Sequence, residues 1–332
     1  MDEQITTHTQ AEPSRTIDLN AFSEKAARLR QETAKVIVGQ QEAVDLLLTA
    51  ILADGHVLIE GVPGVAKTLL ARLMSRLIDA RFSRIQFTPD LMPSDVLGTT
   101  VFNMKTSEFD FHEGPVFSDL VLADEINRAP AKTQAALFEV MEERQVTMDG
   151  TTHPMGPLYT IIATQNPVEQ EGTYRLPEAQ LDRFLFKITM DYPSIEEEVD
   201  ILKRHQANQQ LIKLEAVRPV MTIAELLLLR EQLQTVFIEE SLLRYIAAIV
   251  QQTRTSKAVY LGASPRASVA ILNASKAYAL LSGRDFVTPE DIKFVTPSIL
   301  HHRLHLTAEA EMEGYTAMKV AKKLIDKVEV PK

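Results

Sequence analysis

The sequence has no cysteine, no long apolar segment and no excess of basic residues. The absence of cysteine from 332 residues excludes disulfide bonds and thiolate metal sites and suits a reducing compartment, so we expect a cytoplasmic location. No run of about 18 uninterrupted apolar residues occurs, so no membrane span is predicted. The 35 Lys and Arg residues against 45 Asp and Glu give a formal net charge of -10, which argues against a surface that follows nucleic-acid phosphates.

The first 19 residues are polar and carry no secretory pattern. The stretch MDEQITTHTQAEPSRT has no apolar core of the kind that a signal peptide contains. We therefore expect a disordered lead over residues 1–19. The remaining length is sufficient for two domains, each with its own hydrophobic core.

Residues 56–74, HVLIEGVPGVAKTLLARLM, have the pattern of a buried strand, a loop with Gly and Pro, and an amphipathic helix. Gly61 and Gly64 allow the loop to turn its N–H groups toward one point, where they and the helix N-terminus favour an anion. Lys67 would reach the β- and γ-phosphates of a nucleotide, and the Thr68 hydroxyl would ligate Mg²⁺. A tight strand-to-helix turn with an exposed lysine is the alternative. The residues predicted to bind nucleotide here are Gly61, Val62, Pro63, Gly64, Val65, Ala66, Lys67, Thr68 and Leu69.

Residues 119–125, DLVLADE, have the pattern of a strand that ends in two consecutive carboxylates. Ionised carboxylates at the end of a buried strand need partners or a metal ion. We predict that Asp124 holds the Mg²⁺ shell and that Glu125 is the general base that polarises the attacking water. A solvated strand end followed by a helix N-cap is the alternative for this segment alone, and the phosphate loop upstream argues against it.

Strand and helix patterns alternate over residues 20–192, which predicts an α/β domain with a parallel sheet covered on both faces. Hairpin inserts are predicted near 95–117 and near 145–155, the second from strand-like arms around Asp149 and Gly150. The predicted strands lie near 57–59, 84–88, 119–125, 158–164 and 184–191.

The C-terminal segment, residues 193–332, has helical patterns throughout. The change of pattern at residues 192–194, Tyr-Pro-Ser, marks the predicted domain boundary. His301, His302 and His305 have a spacing that would suit a metal ion on one helix face. Without a nearby acidic or thiolate ligand we interpret them as a basic helix end. The predicted helices lie near 195–208, 222–235, 239–255, 264–281, 288–302 and 308–327.

Over residues 20–330 the chain resembles the AAA+ ATPases and, within them, the MoxR family. Ala66, which replaces the usual glycine of the phosphate loop, is tolerated in that family. The resemblance implies an α/β P-loop core with a five-stranded parallel sheet, a C-terminal all-α lid domain, and a ring of usually six subunits in which the hairpin inserts face the pore. The segments that carry it are GVPGVAKT (61–68), FTPDLMPSDVLGT (87–99), DEINRAPAKTQAALFEVMEERQVT (124–147), ATQNP (163–167), LPEAQLDRF (176–184) and GASPRA (262–267).

The resemblance also implies roles for residues outside the phosphate loop. Asn166 resembles sensor 1, an amide that orients the attacking water or contacts the γ-phosphate, although an Asn before a proline is also common in turns. Val38 and Gly39 resemble the segment that lines the base pocket. Arg128 either acts across a subunit interface or forms a surface salt bridge with Glu125 or Glu142.

Two further arginines resemble residues that respond to the γ-phosphate. Arg183 resembles an arginine finger that reaches into a neighbour's site and neutralises developing charge. A helix C-terminal arginine that satisfies carbonyls, or one that pairs with Asp182 or Glu178, is the alternative. Arg266 follows a helix N-cap at residues 264–265, where a cation opposes the helix dipole and needs an anion. As sensor 2 it would find that anion in the bound γ-phosphate.

The function implied by the resemblance is Mg²⁺-dependent ATP hydrolysis that moves the lid and remodels or matures a protein complex. MoxR-like proteins are associated with partners that carry von Willebrand factor A domains, so we expect such a partner. A nucleic-acid-stimulated motor or loader is a second possibility, but Lys105 is the only basic residue of the 95–117 insert, which argues against it. A nucleotide-gated scaffold with little turnover is a third. The absence of an Asn-Lys-x-Asp motif argues against a GTPase.

Overall fold

The computed structural model describes residues 19–167, 174, 176–206, 214 and 217–331. Residues 1–18 of the predicted disordered lead lie outside the described residues. The elements of the N-terminal part are α1 (Leu19–Val36), α2 (Gln41–Leu52), β1 (His56–Gly61), α3 (Lys67–Leu77), β2 (Phe82–Gln86), α4 (Pro93–Leu97), β3 (Gly98–Asn103), β4 (Glu108–Glu113), β5 (Leu120–Asp124), α5 (Ala131–Glu143), β6 (Gln145–Met148), β7 (Thr151–Pro154), β8 (Thr160–Gln165), α6 (Glu178–Leu181) and β9 (Phe184–Met190).

A five-stranded parallel sheet with the order β2-β5-β8-β1-β9 forms the centre of this part. The predicted five-stranded parallel sheet is therefore confirmed. The three central strands, β5, β8 and β1, are almost fully buried, as parallel strands between helices must be: Val57 and Ile59 of β1 pack in one core cluster and Leu58 in the other. All five strands end at the same edge, where the loops after β1, β5 and β8 meet.

The bounds of several strands differ by up to two residues from the sequence-based prediction, as β2 and β8 illustrate. The strand predicted at 84–88 is β2, Phe82–Gln86, and the one predicted at 158–164 is β8, Thr160–Gln165. The apolar pattern continues past the end of β2 because Phe87 is fully buried, and its N–H still donates to the Asp124 carbonyl at 2.9 Å. Pattern alone does not separate such a buried extension from the strand itself.

Both predicted hairpin inserts form, and they contact each other. Strands β3 and β4 pair antiparallel after the short helix α4, and β6 and β7 pair around a turn in which Asp149 and Gly150 have φ values of 50° and 79°. Positive φ at both positions is the requirement of the tightest hairpin turn. Thr100 donates to the Asp149 carboxylate at 2.6 Å, and Phe111 stacks on His153 with ring centroids 4.2 Å apart.

The C-terminal part is helical, as predicted, with one small addition. Strands β10 and β11 pair antiparallel and were not predicted from the sequence. The helix predicted over 308–327 is two helices, because Gly314 has a φ of 78° and the Thr316 hydroxyl caps the second one. The elements are α7 (Ile195–Gln206), α8 (Ile223–Gln232), α9 (Glu240–Thr255), β10 (Val259–Leu261), α10 (Pro265–Leu281), α11 (Pro289–Leu300), β11 (His305–Leu306), α12 (Ala308–Met312) and α13 (Ala317–Lys327).

Helix α8 packs against the sheet-containing part. The Arg230 guanidinium donates to the Ile51 carbonyl at the end of α2 at 2.6 Å and forms an ion pair with Asp54 at 2.6 Å. Just before α8, the N–H groups of Val220 and Met221 donate to the Leu77 carbonyl at the end of α3. One apolar cluster runs through both parts of the chain. Among the residues described, we find no helix with the length and apolar content needed to cross a membrane.

Candidate functional site

The loop between β1 and α3 has the backbone shape that the sequence predicts. Gly64 has a φ of 89° and Ala66 a φ of 69°, and α3 begins at the next residue, Lys67. Gly61 is required for a different reason: a Cβ at this position would lie 2.5 Å from the Met190 carbonyl oxygen of the neighbouring strand. The loop can therefore turn tightly while the ends of β1 and β9 stay close.

The Lys67 ammonium lies inside this loop. Its Nζ donates to the Gly61 carbonyl and, at 3.2 Å, to the Gln165 carbonyl at the end of β8. These carbonyls hold the charge at the mouth of the loop, at the N-terminus of α3. Here the N–H groups of the first helical turn and the ammonium would act on the same anion.

The two predicted Mg²⁺ ligands lie together. The Thr68 hydroxyl donates to Asp124 Oδ2 at 3.3 Å, and Thr164 of the adjacent strand donates to Asp124 Oδ1 at 2.6 Å. Asp124 is buried at the end of β5. A hydroxyl and a carboxylate beside a phosphate-binding loop supply the hard oxygen donors that Mg²⁺ prefers, with nucleotide phosphates and water completing its shell. The residues present fit this ion.

Arg84 also contacts this carboxylate and was not predicted from the sequence. Its Nε and Nη2 donate to Asp124 Oδ2 at 3.0 and 2.8 Å. The signal was available: Arg84 and Gln86 are polar residues two positions apart in a strand, so they share one face, and Gln86 pairs in register with Asp124. The guanidinium supplies the positive charge that the buried carboxylate needs.

The Glu125 side chain is held by two neighbours. Its Oε2 accepts hydrogen bonds from Gln86 Nε2 and Arg128 Nη1, both at 2.9 Å, and its N–H donates to the Thr164 hydroxyl. The salt bridge of Arg128 to a nearby glutamate is thus confirmed. Glu125 has a φ of 57°, a left-handed conformation that is costly for a side chain with a Cβ. Such strain is typical of functional sites.

Asn166 and the Val38–Gly39 segment lie around the same edge of the sheet. Asn166 is buried directly after β8, the strand between β5 and β1. Gly39 has a φ of 69° and lies against the Glu197 carboxylate near the start of α7. The next residue, Gln40, donates to the Asp191 carbonyl at 2.9 Å. The predicted base-binding segment is therefore beside the junction of the two parts of the chain.

Arg183 and Arg266 do not reach the phosphate loop of their own chain. Strand β9 begins at Phe184, which pairs with His56 at the start of β1, whereas the loop follows Gly61 at the other end. Five residues of strand separate these ends by roughly 17 Å, which is farther than an arginine side chain extends. Both arginines lie at the start of β9, since Arg266 is 3.8 Å from Asp182.

The acidic partner of Arg183 differs from the two that the sequence suggested. Its guanidinium donates to the Phe138 carbonyl and forms an ion pair with Glu142 at 3.3 Å. Asp182 and Glu178 were the partners expected of a helix-end arginine. Asp182 instead contacts other arginines, and Glu178 pairs with His305 at 3.2 Å.

The interpretation of His301 and His302 as a basic helix end is wrong. Burial lowers the pKa of His301 to about 4, and burial lowers the pKa of His302 well below its usual value, with the Arg303 charge adding to the effect. Both rings are neutral at pH 7. His302 Nε2 donates to the Phe184 carbonyl at 2.9 Å. Within the described part of the chain, no group of three or more His, Cys, Asp or Glu residues is arranged to hold a metal ion.

Comparisons with known proteins agree with this arrangement. Residues 56–186 match the ATPase family associated with various cellular activities (AAA), and residues 251–324 match the AAA lid domain. The chain is 48% identical to the uncharacterized protein YeaC of Bacillus subtilis over 90% of this chain and 92% of that protein. It is 44% identical to the chaperone MoxR1 of Mycobacterium tuberculosis over 90% of this chain and 81% of that protein.

A solved structure is also similar. The crystal structure of a proposed ATPase from Cytophaga hutchinsonii superimposes with a TM-score of 0.85 at 41% identity, covering 95% of this chain and 97% of that one. The similarity therefore extends over the sheet, the phosphate loop and the helical C-terminal part. From these relatives and the two matched domains, the chain belongs to the MoxR family of chaperone-like AAA+ ATPases.

Proposed function

We propose that this chain is a Mg²⁺-dependent ATPase that works in a ring of subunits and remodels a protein partner. The observation that carries the proposal is the separation of two groups of residues. Lys67, Thr68, Asp124 and Glu125 meet at the carboxyl edge of the sheet, while Arg183 lies at the opposite end of β9. One chain thus offers a nucleotide site at one end and arginines at the other.

The nucleotide site contains the groups that ATP hydrolysis requires. Lys67 and the loop N–H groups would hold the β- and γ-phosphates, and Thr68 and Asp124 would hold the metal ion. Mg²⁺, when bound, neutralises phosphate charge as the bond between the β- and γ-phosphates breaks. Glu125 would accept a proton from the water that attacks the γ-phosphorus, and Asn166 would orient that water.

One oxygen of the Glu125 carboxylate is held by two donors. Its Oε2 accepts from both Gln86 and Arg128, so this oxygen is engaged by two donors. A carboxylate that is to take a proton from water needs a free lone pair within hydrogen-bond distance of that water. A carboxylate has two oxygens, so the contacts on Oε2 fix the orientation of the side chain, and Oε1 would take the proton.

The distant arginines would act on a neighbouring subunit. An arginine supplied in trans stabilises charge on the transferred phosphoryl group and makes hydrolysis depend on assembly. Arg183 is our candidate for this role, and Arg266 lies beside it. In this proposal the γ-phosphate that Arg266 contacts as sensor 2 belongs to the neighbour's nucleotide. A ring, of six subunits by family resemblance, would bring the two ends together.

The partner is proposed from the family alone. A protein with a von Willebrand factor A domain remains our prediction, as do maturation of a complex as the outcome and a cytoplasmic location. The hairpin inserts offer a surface for a protein partner, because Phe102, Met104 and Phe109 are exposed there. Large exposed apolar side chains that lie close together often mark interaction sites.

ATP hydrolysis per subunit, measured against protein concentration, tests the proposal. We expect specific activity to rise with concentration in the parent chain and to be abolished in Arg183→Ala. Glu125→Gln should bind nucleotide but not hydrolyse it. Concentration-independent turnover that survives Arg183→Ala would exclude a shared site. Stimulation by DNA or RNA would favour the nucleic-acid motor, and nucleotide binding without turnover at any concentration would favour the scaffold.

A further inference from the structure

Arg303, just after α11, is a buried arginine whose five N–H groups are all used. Its side chain is only 7% exposed. Nε donates to Asp182 Oδ1 at 2.7 Å. Nη1 donates to the carbonyls of Ile299 and Leu185 at 2.7 and 3.2 Å, and Nη2 to those of Phe184 and Asp182 at 2.8 and 3.0 Å. An arginine has five donors, so no donor is left for another partner.

Four of these five bonds end on one short segment, residues 182–185, which carries Arg183. The segment lies 118 to 121 positions earlier in the chain than Arg303. His302 adds a further bond to the Phe184 carbonyl. The backbone on both sides of Arg183 is therefore attached to the C-terminal part of the same chain.

Asp182 extends this connection to a second helix of the C-terminal part. Its Oδ1 accepts from Arg303, while its Oδ2 faces Arg266 Nη1 at 3.8 Å. The cluster of Arg303, Asp182 and Arg266 thus joins the end of α11 and the start of α10 to the start of β9.

Stability alone does not explain a buried arginine at this place. Burial lowers the pKa of Arg303, which means that the charged form is disfavoured, and the bond to Asp182 opposes this effect. An apolar side chain of similar volume commonly stabilises a fold as well as a buried ion pair does. What the guanidinium adds is geometry, because its planar fork fixes several acceptors in one arrangement.

We propose that Arg303 is a positioning residue for Arg183. It attaches the backbone on both sides of Arg183 to the C-terminal part, so that Arg183 is presented to the neighbour's site in one fixed position. This inference rests on the proposed action of Arg183 in trans. It assigns to Arg303 no contact with nucleotide.

Mixed oligomers of two defective chains test this role. Lys67→Ala removes the phosphate-binding lysine of a subunit but leaves its Arg183, and Arg183→Ala removes the finger but leaves the site. In a mixture, an intact Arg183 faces an intact site at some interfaces, and we expect hydrolysis to be restored there. Arg303→Lys is then added to one component or the other. Lysine keeps the charge but has three donors on a single atom and cannot hold the four acceptors of residues 182–185.

The expected result is asymmetric. With Arg303→Lys in the Lys67→Ala chain, which supplies the finger, kcat of the mixture falls by about tenfold to a hundredfold, since a misplacement of about 1 Å costs that much. With Arg303→Lys in the Arg183→Ala chain, whose own finger is absent, kcat stays close to that of the parent mixture. Nucleotide affinity stays unchanged in both.

Other outcomes overturn the inference and identify what failed. Equal losses in the two arrangements mean that Arg303 only supports the fold, and no loss in either means that it does not position Arg183. A parent mixture without restored hydrolysis overturns the trans role of Arg183, and the inference falls with it. Asp182→Asn, which keeps the side-chain volume, provides a second variant and should give the same asymmetry if Arg303→Lys prevents folding.

Discussion

Acidification should destabilise this protein through His56, the first residue of the strand that leads to the phosphate loop. The His56 ring is 5% exposed. Its Nδ1 accepts from the Ile161 N–H of β8 at 3.0 Å, so Nε2 carries the proton and donates to the Met141 carbonyl of α5 at 3.2 Å. A proton added at Nδ1 would point at the Ile161 N–H, and two donors cannot form a hydrogen bond with each other.

The magnitude follows from the shift in pKa. Burial, with a smaller contribution from the Arg144 charge, lowers the pKa of His56 from 6.5 to about 3. The unfolded chain therefore takes up a proton near pH 6.5 while the folded chain does not, and stability is lost as the pH falls from 6.5 toward 3. Between pH 7.5 and 5.0, this one residue should lower the free energy of unfolding by about 2 kcal/mol.

The assay is urea unfolding at pH 7.5 and 5.0 for the parent chain and His56→Asn. The Asn carbonyl oxygen replaces Nδ1 as the acceptor for Ile161, and the variant does not titrate. It should be less stable at pH 7.5 by about 1–3 kcal/mol, because the Met141 carbonyl loses its donor. Between the two pH values, the free energy of unfolding of the variant should fall by about 2 kcal/mol less than that of the parent chain.

The parent chain and the variant share His301 and His302, whose lowered pKa values also reduce stability at low pH. The difference between the two chains in the stability lost on acidification therefore reports His56 alone. His112→Asn, in the exposed hairpin β3–β4, is the matched control for the removal of a histidine. If His56→Asn lost as much stability on acidification as the parent chain, the assignment of a buried neutral imidazole at this position would be refuted.

Three further predictions concern the nucleotide site. Arg84→Gln removes a cation from Asp124. The variant should need about twofold to fivefold less Mg²⁺ for half-maximal ATP binding in a fluorescent-nucleotide titration, as expected for a half-exposed ion pair. A higher Mg²⁺ requirement than that of the parent chain would contradict this prediction. Gly61→Ala places a Cβ 2.5 Å from the Met190 carbonyl, so unfolding in urea should show a loss of about 1–3 kcal/mol, accompanied by weaker nucleotide binding. Ala66→Gly relieves a φ of 69° and should stabilise by about 0.5–1 kcal/mol in the same assay, with unchanged stability as the refuting result.

The local features of the site were readable from the sequence because they are formed by consecutive residues. A strand, a glycine-containing turn and a helix N-terminus follow one another in residues 56–74, and the backbone preferences of Gly64 suffice to predict the turn. The acidic end of β5 was visible in the same way. The contact of Thr68 with Asp124, 56 positions apart, could be predicted only because parallel strands end at one edge.

Contacts across the sheet and between the two parts of the chain could not be predicted from the sequence. Arg84 lies in an ordinary strand pattern, and its contact with Asp124 depends on β2 being the neighbour of β5. For Arg183 the alternative to an arginine finger was a pair with acids close to it in sequence, but Glu142 of α5 is its ion-pair partner. His302 has the composition of a polar helix end and is buried, because the chain after α11 packs on β9.

The sequence by itself determined the order of strands and helices, the phosphate loop and the acidic pair, since side-chain period, glycine positions and capping residues act over a few neighbouring residues. Beyond the residues that the common edge of the parallel strands brings together, only the tertiary structure decided which distant side chains meet. Asp182 and Arg303 are 121 positions apart, and no local preference selects one such pair over another. Their contact exists because strand order and helix packing bring the start of β9 to the end of α11, where burial requires every donor of the guanidinium to find an acceptor.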